Sequence, residues 1–569
     1  MSDRAELGEV RAALVSLPGV RDAAVHAARH ALGGLRIVAH VVTRTPPAEL
    51  RAALRARLPS HLLPARLHRV PHIPLLADGR TDHRALAALT AAASNAAPTP
   101  AQDSRWAAAS VPVTPQQRAL LPHALAHRGT GRWVQQLHWR WHGPLDAGRF
   151  TAAWQSVFAH ESVLRAAFAC DSGPPRLVLH EHVRPEVVRH PPGSVDFDQL
   201  IERDRLRGFD LRCPGLLRLH LLDEPAPHGG GPPRVRILLT FHTLVLDDFS
   251  MAVLLEEFYR AYLAGGRLPG GERRPDHRDY ARWLTGQDTA PARDFWSAAA
   301  PGITTLIRPG TAGPATGLSG YGRAETRLGP APAGRLRTWA ASHAATEAGA
   351  LQAAWALLLY RAGAAAGPAL VGFGVGVLGR GIGLDFVERL PGLLATTLPL
   401  TVQVDPDAPM AQLLADLRDQ ALEMAAYEWV SLEQIRAWSG RQGGDELLES
   451  LVVFEHRRRR SPHLRSALAA HGITVEEPRP AGTPTVFPVT LQARRDADDG
   501  LNLSAVHDRA RLADADAARL LGQCARLLRE LPRLAGGAAT VSDALAVLAD
   551  EPLAAMAGAP AASATGAPT

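Results

Sequence analysis

The chain has 569 residues, 46% of them hydrophobic and 21% charged, with a formal net charge of +6. That balance describes a globular protein with several domains' worth of core, neither a disordered polyelectrolyte nor a membrane-rich chain. All 62 basic residues are Arg and none is Lys, which excludes Schiff-base, P-loop and lysine-base chemistry because each requires an amine.

In chain order, the opening MSDRAELGEV lacks the apolar core of a secretory signal. Gly8 to Leu17 is helical in pattern, Pro18-Gly19 turns the chain into a β-like stretch, and Leu35 to Val42 forms an apolar run. Pro47 to Leu58 predicts a second helix, so residues 1–90 make a small α/β unit. His26 and His30 stand four apart, which on a helix would put them on one face, but no third ligand accompanies them and no metal site is expected. Small and polar residues with Pro over 91–110 predict a linker. The most apolar run, Ala350 to Tyr360, is broken by Arg361 well short of the ~20 residues a membrane span needs. Arg457 to Arg460 form the strongest basic cluster, yet acids are interspersed along most of the chain, so neither nucleic acid nor membrane is an expected partner. Cys170, Cys213 and Cys524 are odd in number and widely spaced, which fits a reducing cytoplasm better than a disulfide framework or thiolate metal site. No Ser sits in a GxSxG nucleophile elbow. Residues 541–569 are expected to form a partly disordered tail, having too few large apolar side chains from about Leu553 onward to pack.

Three segments of the first unit carry a resemblance: LPGVRDAAV, LPSHLLPARL (Leu58 to Leu67) and IPLLADGRTDHRAL (Ile73 to Leu86). Together they resemble the C-terminal subdomain of the adenylate-forming domains of nonribosomal peptide synthetases. The large nucleotide-binding core of that family does not precede them, and its Gly-Lys pair is Gly79-Arg80 here. Arg is planar and bulkier than Lys, so it is no neutral replacement at a tight site. Residues 1–90 therefore read as a docking or structural remnant without an adenylation site.

From Val111 onward, motifs follow in a fixed order: VPVTPQQRAL (Val111 to Leu120), HESVLRAAF (His160 to Phe168), FDLRCPGLLR (Phe209 to Arg218) and ILLTFHTLVLDDFSMAVLLEEFYRAY (Ile237 to Tyr262). DYARW (Asp279 to Trp283), Phe295-Trp296, Gly379-Arg380, PGLLATTLPL (Pro391 to Leu400), YEWVSLEQI (Tyr427 to Ile435) and LVVFE (Leu451 to Glu455) continue the series. Their order and spacing resemble the condensation domains of nonribosomal peptide synthetases. The resemblance implies an α/β (α+β) fold of two chloramphenicol-acetyltransferase-like lobes, 111–285 and 286–540, forming a V-shaped pseudo-dimer with a substrate tunnel between them. It also implies amide formation between a carrier-bound thioester and an amine. No cofactor would be bound, and the substrates would arrive on the phosphopantetheine arms of separate carrier proteins or synthetase subunits.

The family's central motif is HHxxxDG, and here it reads HTLVLDD, His242 to Asp248. The resemblance assigns Thr243 to the catalytic His position, His242 to the first His, and Asp247 to the structural Asp, with Arg380 as its partner. Arg165 is expected to support structure. Asp248, in the Gly position, would either narrow and charge the tunnel mouth or cap the helix from Ser250 to Tyr262. Thr396 replaces an Asn of the family, so with Ser250 and Asp248 it is a candidate tunnel residue. Thr can donate or accept a hydrogen bond, but its hydroxyl does not titrate near neutral pH. If Ile237 to Thr243 is a strand, His242 points away from Thr243 and cannot stand in for the missing base.

Two functions remain in view. One is a free-standing condensation protein with an atypical site that works by positioning a neutral amine, since orientation alone lowers a barrier by several kcal/mol. The other is a catalytically inactive condensation fold that docks carriers or recruits a tailoring enzyme, similar to X-type domains. A lesser reading, heterocyclisation, rests on His242-x4-Asp247-x2-Ser250, which matches DxxxxDxxS with His for the first Asp.

Overall fold

The computed structural model describes residues 2–29 and 35–43, scattered positions between 45 and 85, and 109–551 apart from 171–172, 226–230, 271–273, 300–317, 364, 366, 440–446, 456–460, 482–486 and 535–538. Gly79-Arg80, Arg457 to Arg460, nearly all of the linker and the end of the tail lie outside the described residues, as does most of the expected helix over 47–58. The chain divides into two compact units, Met1–Trp106 and Ala107–Thr569.

In the first unit a helix, Ser2–Val15, begins earlier than its sequence pattern suggests and stops ahead of Pro18. Strands Val20–Arg29 and Leu35–Thr43 run antiparallel, with Arg66–Arg69 parallel to the second. Val10, Leu14, Ala23, Ala39, Val41 and Leu54 fill a core between helix and sheet. His26 lies in a strand opposite Val38, so it has no helical face to share. Its alternating small and β-branched neighbours favour the pleat, and its ring stacks on His40, which stacks on His68.

The second unit is built on two six-stranded sheets, each with its own core. The first sheet runs Thr474–Val475, Val134–His142, Arg234–His242, Leu217–Asp223, Glu186–His190, and Arg479–Pro480 also pairs with Val134–His142. Ile237, Leu239 and Phe241 enter the main core of this half, whereas Leu238 and Thr240 belong to the opposite face. Helices Ala147–His160 and Asp248–Leu263 cover the core face, with Phe258 edge-on to Phe150 and stacked on Trp154. Helix Phe197–Arg207 covers part of the other face through Leu200. A small sheet of Ala109–Pro112, Arg176–Leu179 and Ala166–Ala169 completes this half.

The second sheet runs Tyr321–Leu328, Leu501–Asp508, Val489–Arg495, Ser450–Glu455, Ala369–Val377, Thr396–Val404. Against it lies helix Glu347–Ala362, whose residues from Ala350 to Tyr360 are buried save Gln352, as expected of a helix apolar nearly all round. The chain then crosses over: helix Pro462–Ala470 and the short strands after it leave this sheet and join the first half, where Leu464, Leu468 and Ile473 enter its core. Among the described residues no helix is long and apolar enough to cross a membrane.

Candidate active site

The strand expected over Ile237 to Thr243 stops at His242, because Val245 N–H already bonds the His242 carbonyl at 3.1 Å and turns the backbone. Thr243 therefore sits in the turn, its N–H donating to the Trp133 carbonyl at 2.9 Å. Leu244 N–H donates to His242 Nδ1 at 3.1 Å, which leaves the imidazole proton on Nε2. Burial lowers the pKa of this ring to about 4, so it is neutral at pH 7. His242 thus braces the loop that carries Thr243.

The opening motif holds the same loop from another side. Thr114 and Gln117 form a reciprocal capping box at the start of helix Pro115–Ala126, and the Gln117 amide then donates to the Leu244 carbonyl at 2.9 Å. Its neighbour Gln116 reaches the second half, donating to the Trp429 carbonyl at 3.1 Å.

Asp247, four residues after Thr243, is the N-cap of helix Asp248–Leu263. That corrects the capping alternative for Asp248, which is the first helical residue and is exposed. The cap falls one residue earlier because the Asp247 backbone is extended and its Oδ1 accepts from Ser250 N–H at 2.9 Å. The same carboxylate meets Arg380 at 2.8 and 3.1 Å and accepts the Leu394 and Ala395 N–H groups at 3.1 and 3.0 Å. Arg380 also donates to the Leu378 and Leu390 carbonyls, and its guanidinium lies over the Phe249 ring. Burial alone would raise the Asp247 pKa, but the Arg380 charge and these hydrogen bonds outweigh it and hold the carboxyl below its ordinary value. Ser250 Oγ stands 2.6 Å from Asp247, accepts from Gly392 N–H and lies 2.8 Å from the Gly392 carbonyl. Gly379 permits this approach: its φ is +63°, and a Cβ there would lie 1.9 Å from the Leu394 carbonyl oxygen. Asp247, Ser250 and Arg380 are therefore one knot joining the two halves, in which Arg380 Nε is left without a hydrogen-bond partner among the described residues.

Arg165 is committed elsewhere. It donates to the Phe158 and Ala159 carbonyls at the end of helix Ala147–His160 and to the His180 carbonyl, closing that helix onto the small sheet. Thr396 opens strand Thr396–Val404 opposite Val377 and is half-buried.

Thr243 Oγ1 is buried and has no hydrogen-bond partner among the described residues, although the residue as a whole is only half-buried. No His, Asp or Glu there stands within hydrogen-bond reach of it. Three further features escaped the reading of the sequence: Trp133, His277 and the two Gln contacts. His277 is 1% exposed, neither ring nitrogen has a partner among the described residues, and burial lowers its pKa to about 4. It borders the Asp247 knot, since a Cβ on Gly392 would lie 3.6 Å from its Nδ1. Only the capping-box spacing of Thr114 and Gln117 was visible as a local signal. Among the described residues no group of three or more His, Cys, Asp or Glu is placed to hold a metal ion.

Residues 107–543 match the family model of the condensation domain, and residues 9–80 match that of the AMP-binding enzyme C-terminal domain. A linear gramicidin synthase protein of Brevibacillus parabrevis is 30% identical over 359 residues, covering 61% of this chain and 4% of that protein. The chain thus spans a small fraction of that relative. The first condensation domain of the calcium-dependent antibiotic synthetase, in complex with a substrate analogue, matches with a TM-score of 0.58 and 22% identity, covering 76% of this chain and 98% of that one. The complex of the X-domain and OxyB from teicoplanin biosynthesis contains a chain matching with a TM-score of 0.60 and 22% identity, covering 80% of this chain and 100% of that one. The match over 107–543, on the two-sheet fold these structures share, shows that the chain belongs to the condensation-domain family.

Proposed function

We propose that this protein joins a carrier-bound acyl or aminoacyl thioester to an amine, forming an amide by positioning rather than by base catalysis. Condensation domains of nonribosomal peptide synthetases act on substrates borne on the phosphopantetheine of carrier proteins, and carrier-borne substrates are the ones proposed here. The observation that carries the reading is Thr243 Oγ1, a buried hydroxyl left without a partner at the catalytic position of an otherwise fully braced loop. An unpaired buried hydroxyl costs about 1–3 kcal/mol, a cost a substrate hydrogen bond would recover. In the reaction the neutral amine nitrogen attacks the thioester carbonyl, the C–N bond forms as C–S breaks, and the amine proton ends on the released thiol. Orientation of two bound reactants supplies most of the acceleration.

The test is incubation with carrier proteins loaded with a panel of acyl and aminoacyl groups plus amine acceptors, read by mass spectrometry of the carrier. Amide product is expected, with turnover falling about 100-fold in Thr243→Val, as when one donor to a developing oxyanion is lost. Product formation unchanged by that substitution, or absent from the whole panel, counts against the proposal. The second reading, a recruiting module, is favoured by the lack, among the described residues, of a base within hydrogen-bond reach of Thr243. It predicts no amide product and a stoichiometric complex with a tailoring oxygenase on a sizing column.

A further inference from the structure

The face of the first sheet that lies opposite its core gathers more positive charge than it neutralises. Strand alternation puts His138, Arg140 and His142 on this face of Val134–His142, and the antiparallel register sets Arg236 directly opposite Arg140 and Arg234 opposite His142. Like charges facing each other across a strand pair are destabilising. Here a single carboxylate, Glu224, stands among three guanidiniums: Arg140 Nε donates to it at 2.9 Å, while the Nε atoms of Arg234 and Arg236 lie 3.8 and 3.9 Å from its oxygens. Both of those Nε atoms are buried with no hydrogen-bond partner among the described residues. The Arg236 guanidinium rests 4.0 Å over the Phe197 ring, at the start of the helix that covers the rest of this face. Glu476, from the crossover, lies 4.0 Å from Arg140 and 3.2 Å from His142. Arg479, opposite His138 on the short crossover strand, adds a fourth and exposed cation. Among the described residues Glu224 and Glu476 are the acids within 4.0 Å of these four arginines, which leaves two positive charges in excess. The field reaches His138, whose pKa is lowered by burial and by Arg236, Arg479 and Arg140 against Glu476. The cluster is open to solvent, since the side chains of Arg140, Arg234 and Arg236 keep 37, 37 and 26% exposure.

We propose that this cluster is a binding site for a phosphate dianion, either inorganic phosphate or the monoester of a phosphorylated small molecule, held on the solvent side of Arg234 and Arg236. An excess of two positive charges matches a dianion, and the planar fork of a guanidinium fits two oxygens of a tetrahedral phosphate. Glu224 gathers the arginines and competes with the ligand for them. The site lies on the sheet face opposite the core and does not depend on the proposed amide-forming reaction.

The test is phosphorus NMR on the full chain at pH 8, where inorganic phosphate and glycerol phosphate are both dianions, with ionic strength held constant by sodium chloride. Saturable line broadening is expected with the native protein, and the probe that binds more tightly names the source of the phosphate. Arg236→Gln should weaken binding about tenfold, as when one charge-assisted hydrogen bond is lost. Glu224→Gln removes the competing carboxylate and should tighten binding by about the same factor. A gain in affinity cannot come from misfolding, so the Glu224 variant stays decisive even where Arg236→Gln fails to fold. Broadening that never saturates, or equal affinity in the native protein and Glu224→Gln, overturns the site. Binding of hexaglutamate but of neither phosphate also overturns it, and reassigns the surface to an acidic protein partner.

Discussion

At the scale of single residues, His242 and Thr243 show how adjacent positions acquire opposite fates. His242 spends Nδ1 on the Leu244 N–H and loses its basicity to burial, while Thr243 keeps a buried hydroxyl unspent. The rate of the proposed reaction should therefore show no inflection from an enzyme histidine between about pH 6 and 8, because a ring titrating near 4 does not change charge there. Thr243→His places a titratable group at that point, and an inflection near pH 6–7 is expected in its profile, rising on the alkaline side as the base forms. Identical profiles for the two proteins would show that position 243 does not face the amine.

At the scale of elements, helix Phe197–Arg207 is fixed to the first sheet by a buried polar cluster as well as by the apolar contacts of Leu200, Ile201 and Phe197. Asp204 pairs with Arg218 at 2.6 Å, both side chains 3% exposed, and also meets His220 at 3.2 Å and Thr240 at 2.5 Å. His220 in turn contacts His190 at 3.0 Å. Burial raises the Asp204 pKa, but the bonds to His220 and Thr240 and the Arg218 charge prevail and hold it well below the ordinary carboxylate range. A depressed carboxyl stabilises the fold above its unfolded pKa, near 4, and that contribution is lost as pH falls toward the folded value. Asp204→Ala leaves Arg218 buried and uncompensated, so a loss of about 3–5 kcal/mol is expected in denaturant unfolding. A loss below about 1 kcal/mol would mean that Arg218 reaches solvent instead.

For the second unit as a whole, the Asp247–Arg380 knot and the Gln116–Trp429 contact tie two separately packed cores together. Asp247→Ala removes the acceptor of three backbone N–H groups, those of Ser250, Leu394 and Ala395, and leaves a buried guanidinium, a change worth about 3–5 kcal/mol. Calorimetry should then resolve two transitions for this unit where the native protein gives one, since the halves keep their own cores but lose their coupling. A single transition in the variant would place the coupling in the crossover of residues 461–481 instead. Acid stability follows from His242 and His277, both held near pKa 4 by burial. Unfolding releases them to about 6.5, so between pH 6.5 and 4 the unfolded chain binds up to about two more protons and stability falls with falling pH. Glu161 acts oppositely: burial, only partly offset by Arg274, raises it to about 7, and its contribution falls as pH rises from about 4.5 to 7. His277→Phe should remove about one proton from the acid uptake, measured from the slope of unfolding free energy against pH. An unchanged slope would mean that the ring is already protonated in the fold.

The family was legible in the letters, because the order and spacing of motifs such as HESVLRAAF, HTLVLDD and PGLLATTLPL travel with the chain, as does the alternation of Ile237, Leu239 and Phe241. The sequence also exposed the chemical departure at Thr243, since one letter is enough to remove a base. Tertiary structure alone decided which groups have partners. Asp247 collects N–H groups from Leu394 and Ala395, about 150 residues away in the chain, and Gln116 finds a carbonyl in the other half. The backbone turn after His242 moved Thr243 out of the strand, and strand alternation gave no sign of it. Trp133, whose indole N–H has no acceptor among the described residues, and His277 carried no signal as letters, because an unpaired donor or an orphaned imidazole is defined by what surrounds it. Hydrogen-bond satisfaction is a property of three-dimensional neighbours, and in this protein that property distinguishes a brace from a site.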